Sequence, residues 1–127
     1  MGEMSYQEDN NHKKYIIVNL QVEGFHRWIS CPNDNRISFL KNQHRHIFFI
    51  TLKKEVRHND RDIEIISFKR EVISFLQKHF YDSESITFVL NFEGRSCEDL
   101  AEILLNHFDC EMVRVLEDNE NGAEIQK

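Results

Sequence analysis

From Ile16 the chain alternates, with Ile16, Val18, Leu20 and Val22 apolar and Asn19, Gln21 and Glu23 polar between them. A two-residue period puts one set of side chains on a buried face and the other on a wet one, and predicts a half-buried strand. Carried past Gly24, the same pleat brings His26 and Trp28 onto the apolar face. Residues 30–43 hold the single proline together with Asn33, Asp34 and Asn35, a turn and loop composition until Ile37, Phe39 and Leu40 anchor the segment again. His44 to Leu52, rich in Ile, Phe and Thr, predicts a second strand. On it His44 and His46 lie two residues apart and so share a face. The charged run Arg57 to Asp62 is expected to be the turn that ends a hairpin.

The period then changes. Ile65, Phe68, Val72, Phe75, Leu76 and His79 or Phe80 recur at three- and four-residue steps, which predicts an amphipathic helix over 64–80. Ile86 to Leu90 is a short apolar run of either type, and Asn91 to Arg95, with Gly94, is a loop. Ser96 stands at an N-cap with Asp99 three residues on, and Leu100, Ile103, Leu104 and Phe108 form a stripe, predicting a second helix from Cys97 to about Asn106. Glu111 to Glu117 alternates loosely and predicts a third strand, while Asn119-Glu120-Asn121-Gly122 has turn chemistry before a short last strand. The order ββααββ is that of an α+β domain with two helices on one face of an antiparallel sheet.

Composition narrows this picture. The 127 residues suffice for one domain, read as 13–127 behind a polar, aperiodic tail at 1–12. Three cysteines, Cys31, Cys97 and Cys110, show no CxxC spacing, so reduced thiols are expected. A net charge of −6 with scattered basic residues argues against duplex nucleic acid as a partner. No apolar run has the length of a membrane span or of a secretory signal, and a cytoplasmic protein is expected.

The chemistry concentrates in histidines placed on apolar faces. A single such ring is commonly a core residue with a satisfied hydrogen bond. Two on one strand face with a third on a neighbouring strand can instead offer three nitrogens to one zinc ion, leaving its fourth position open for chemistry or ligand capture.

The segments Gly24-Phe25-His26, His44-Arg45-His46, Arg95-Ser96-Cys97-Glu98-Asp99-Leu100-Ala101 and Val115-Leu116-Glu117-Asp118 follow one another over roughly residues 14–125. In that order they resemble the 6-pyruvoyltetrahydropterin synthase and 6-carboxytetrahydropterin synthase family, of the tunnelling (T-fold) type. Its pattern is F-x-A-x-H, H-G-H, P-T-x-E-x-L-A and a strand ending in E-T. The resemblance implies that His26, His44 and His46 are zinc ligands and that Glu117 anchors a pterin or purine-like ring, accepting two N–H bonds from its 2-amino-4-oxo edge. Ser96 and Cys97 fall where the family has loop residues beside the ring, with a helix cap as the other reading of Ser96. Glu98 matches an acid of the pattern. It also implies a homo-oligomeric barrel, a trimer or hexamer with pockets between subunits, and a synthase or lyase reaction on dihydroneopterin triphosphate.

The departures bear on that activity. The family's synthases use a thiolate shortly before H-G-H and an Asp-His pair after the first helix. Residues 38–43 here read SFLKNQ and residues 78–82 read KHFYD, with neither feature. Cys31 and His79 are the candidate substitutes for the catalytic groups. Arg45 replaces a glycine and either meets an anionic ligand or pairs with an acid such as Asp60 or Asp62. Three readings stay open: a zinc-dependent synthase-like enzyme, a non-catalytic protein that senses or sequesters a nucleotide or modified base, and a structural α+β interaction domain whose histidines are core residues and hold no stoichiometric metal.

Overall fold

A computed structural model describes residues 12–84 and 89–127. Tail residues 1–11 and most of the apolar run at 86–90 therefore lie outside the described residues. Strands β1 (Lys14–His26) and β2 (His44–Val56) form a long antiparallel hairpin, paired from Lys14 opposite Val56 to His26 opposite His44. Helix α1 (Ile65–His79), a two-residue strand β3 (Leu90–Asn91), helix α2 (Cys97–Phe108), and strands β4 (Met112–Glu117) and β5 (Asn121–Gln126) follow. The sheet order is β3-β1-β2-β4-β5, antiparallel except where β3 runs parallel to β1.

The alternation sets the faces. Val18 and Leu20 of β1, Phe48, Ile50 and Leu52 of β2, and Val113 and Val115 of β4 pack in one core with Phe68, Val72 and Leu76 of α1 and Leu100, Ala101 and Leu104 of α2. Both helices thus cover the same face of the sheet. Each large side chain withdrawn there contributes about 1.5–3 kcal/mol of apolar burial. The other face carries Ile17, Asn19, Gln21 and Glu23, all exposed. Gly24 is required by packing, since a side-chain carbon there would run into the ring of Phe92, which sits edge-on to Phe48 and Phe80.

Two expected turns differ from those observed. The hairpin closes through residues 27–43, which include a short 3-10 helix at Ser38–Lys41, while Arg57 to Asp62 links β2 to α1. The charged run is a helix approach: Asp62 accepts from the Arg57 amide and Glu64 caps α1 through the amides of Ile66 and Ser67. The β4–β5 turn comprises Asp118 to Glu120, beginning one residue earlier than Asn119-Gly122, with Asp118 and Asn119 both left-handed at φ 55° and 59°. Gly122 already belongs to β5, where any side chain would strike the carbonyl of Val115.

Candidate metal centre

The register that builds the hairpin also builds the cluster. His26 ends β1 directly opposite His44, and Gly24 stands opposite His46. His44, His46 and Phe48 succeed one another on the helix-facing side of β2, and β4 sets Glu117 opposite Phe48. The His26 ring lies 4.5 Å from that of His44 and 5.4 Å from that of His46, between centroids. One donor atom from each of His26, His44, His46 and Glu117 falls within 4.8 Å of the others, with His26 buried and the rest half-buried.

The outer nitrogens of the three rings are already engaged. Nδ1 of His26 lies 3.0 Å from the Arg95 carbonyl, Nδ1 of His44 lies 2.8 Å from the Asn42 carbonyl, and Nδ1 of His46 lies 2.7 Å from Oδ2 of Asp118. A carbonyl only accepts, and so does an ionised carboxylate, so each Nδ1 carries the proton and each neutral ring turns an Nε2 lone pair inward. Second partners of this kind fix ring orientation and tautomer in histidines that bind metals. Asp118 is itself held firmly: it accepts from the Ile47 amide at 3.0 Å, and its own amide donates to the Ile47 carbonyl at 2.7 Å.

The fit to a cation follows from what the inward atoms lack. Nε2 of His26 and Oε2 of Glu117 are buried without a hydrogen-bond partner, although they stand 3.3 Å apart; Nε2 of His46 is 3.2 Å from the same oxygen. Lone pairs facing one another at such distances repel unless positive charge lies among them. Burial opposes protonation of His26, yet the approach of Glu117, the Arg95 carbonyl and the Glu117 charge outweigh it and raise its pKa. The approach of His26 holds the Glu117 carboxyl below its usual range against the opposing pull of burial, and protonation of any of the three rings adds to that effect. A proton partly satisfies this arrangement. A divalent cation satisfies it fully, because three imidazoles and one carboxylate are a donor set suited to zinc and its first-row neighbours.

Beside the cluster a cavity of about 560 Å³ is lined by His26, His44 and Glu117 together with Ser96, Cys97 and Glu98. Ser96 caps α2 in a full capping box, its hydroxyl accepting from the Asp99 amide while Asp99 accepts from the Ser96 amide. The Cys97 thiol is pushed up to about 12, chiefly by burial and further by the charges of Glu117 and Glu98, so it stays protonated at neutral pH.

The other expected residues lie apart from the cluster. Cys31 is buried in the hairpin loop, its thiol donating toward the Ile37 carbonyl at 3.4 Å. His79 is exposed near the end of α1, its ring against Phe75 at 4.3 Å. Arg45 points to the opposite face of β2 from its histidine neighbours and pairs with Glu23 at 3.5 Å, while Asp60 pairs with Arg61 and Asp62 with Arg57 and His58. Sequence reasoning did not foresee Asp118 or the carbonyls of Asn42 and Arg95 as partners of the rings, nor Glu117 as a donor beside them. No protein-family model matches the chain, and no curated protein matches its sequence.

Proposed function

We propose that the protein binds zinc through His26, His44 and His46 and captures a pterin or purine-like ring beside it, in the manner of the 6-pyruvoyltetrahydropterin and 6-carboxytetrahydropterin synthases that its motifs resemble. The observation that carries this reading is the set of three Nδ1-anchored rings whose Nε2 atoms converge on the Glu117 carboxylate. Zinc in such a site acts as a Lewis acid toward an oxygen of the ligand. Glu117 supplies the bidentate acceptor for the ring's N–H edge. Ser96, Cys97 and Glu98 supply part of the cavity wall.

The second reading, a non-catalytic sensor or sequestering protein, is favoured by the placement of the thiols. Cys97 is buried beside the cavity, and Cys31 is buried in its own loop with its thiol directed at the Ile37 carbonyl. Neither is among the four donor residues of the cluster. Assembly of three or six chains and a cytoplasmic setting belong to the same proposal. Among the described residues no helix is long and apolar enough to cross a membrane.

Metal analysis of untagged protein tests the core of the reading: about one zinc per chain is expected, lost in His44→Ala. Metal-free wild-type protein that takes up no zinc would sink it. Incubation with dihydroneopterin triphosphate then separates the two functions, conversion to a pterin with an altered side chain marking a synthase and recovery of bound, unchanged substrate marking a binder.

A further inference from the structure

We propose that Glu117 is a removable fourth ligand of the metal, so that the free protein caps its own site and opens it only to a ligand that takes the carboxylate away. The inference rests on the zinc reading above and deepens it, because a ligand anchor and a metal ligand are different duties for one side chain.

Three observations support it. Ligands held about 2.0–2.1 Å from a tetrahedral zinc lie roughly 3.3 Å from one another. Oε2 of Glu117 stands 3.3 Å from Nε2 of His26 and 3.2 Å from Nε2 of His46, which is the spacing of neighbouring corners of such a tetrahedron. A carboxylate poised only for an incoming ring would aim its oxygens at the cavity, yet Oε2 is buried without a hydrogen-bond partner and faces the imidazoles. Finally, the backbone that carries it is pinned: Asp118, the next residue, exchanges bonds with the amide and carbonyl of Ile47. The side chain itself keeps 28% exposure and borders the cavity, so rotation about its own torsions can bring it out.

Four protein ligands make a closed site, the form that zinc takes in structural roles, whereas ligand capture needs a vacancy. The vacancy arises when Glu117 exchanges the cation for paired N–H donors, and no electrons change hands in that exchange. Recognition becomes a two-point requirement. A ring must offer adjacent N–H donors to Glu117 and an oxygen or nitrogen to the vacated position. Simple anions that meet only the second requirement are excluded.

Cobalt-substituted protein tests this through its visible spectrum and through competition with a chelator. Azide is expected to leave the wild-type spectrum unchanged but to alter that of Glu117→Gln and Glu117→Ala, whose cobalt affinity falls tenfold or more. Pterin should alter the wild-type spectrum, whereas lumazine, which replaces the 2-amino donor by a carbonyl, should not. A wild-type spectrum that responds to azide as the variants do, with equal affinities, places Glu117 outside the coordination shell and overturns the proposal while leaving the three-histidine site standing. An equal response to pterin and lumazine overturns the uncapping role. Wild-type protein that binds neither cobalt nor zinc overturns this proposal and the zinc reading together. Glu117→Gln retains the side chain's shape, so the test does not depend on the alanine variant folding.

Discussion

Asp118 works at one remove from the cluster, and a single oxygen of its side chain decides the orientation of His46. The interaction is charge-assisted, because the His46 contact first and the Ile47 amide second hold the Asp118 carboxyl below its usual range. Asp118→Asn separates this role from the residue's place in the turn. Asparagine accepts the left-handed φ of 55° and its one side-chain oxygen can still accept from the Ile47 amide, but it then turns an amino donor, in place of an acceptor, toward Nδ1 of His46. Zinc affinity, measured against a competing chelator, is expected to fall 10- to 100-fold with the thermal transition of the metal-free chain little moved. Unchanged affinity would show that the tautomer of His46 is set elsewhere. The histidines were legible in the sequence because imidazoles at positions of strand alternation contradict their surroundings. Asp118 was not, since an acid at a strand end is ordinary. The carbonyls of Asn42 and Arg95 were less so, because a backbone acceptor leaves no mark in residue identity.

Among the elements, those whose faces differ in polarity were readable. Val18 and Leu20 against Asn19 and Gln21 define β1, and Phe68, Val72 and Leu76 define α1. What periodicity could not supply was connection. The run Arg57 to Asp62 has hairpin-turn composition yet leads into a helix, and the two-residue β3 is defined by its neighbours Gly24 and Phe25 instead of by its own pattern. The second helix shows how a local signal can serve a distant site. Its capping box was legible as Ser96 with Asp99, and its first turn brings Cys97 and Glu98 to the cavity. Ser96→Ala removes the acceptor for the Asp99 amide and is expected to lower unfolding free energy by about 1 kcal/mol in denaturant titration. Zinc affinity should stay as in the wild type, since Ser96 is not among the four donor residues. A variant that unfolds at the wild-type midpoint but loses ring binding would make Ser96 a ligand contact first and a cap second.

On the scale of the whole molecule, the sheet is finished on one face and unfinished on the other. The helices cover the face that carries the core, while Ile17 and Ile47 stand 56% and 42% exposed on the opposite one. One edge is similarly incomplete: among the described residues β5 pairs with β4 alone, so that end of the sheet exposes a strand edge. Unpaired edges invite pairing with another chain, and apolar side chains on an open face reinforce it. The edge of β5 meeting a different surface of a second copy is a head-to-tail contact, which closes into a ring when the rotation between subunits allows. If the chain assembles as the proposed resemblance to the pterin synthases implies, light scattering returns the mass of three or six chains. Because association stabilises only the folded state, the thermal midpoint should rise with protein concentration. A single-chain mass together with a midpoint independent of concentration would rule the ring out, and would leave the metal centre to be completed within one chain, as the convergence of His26, His44, His46 and Glu117 already permits.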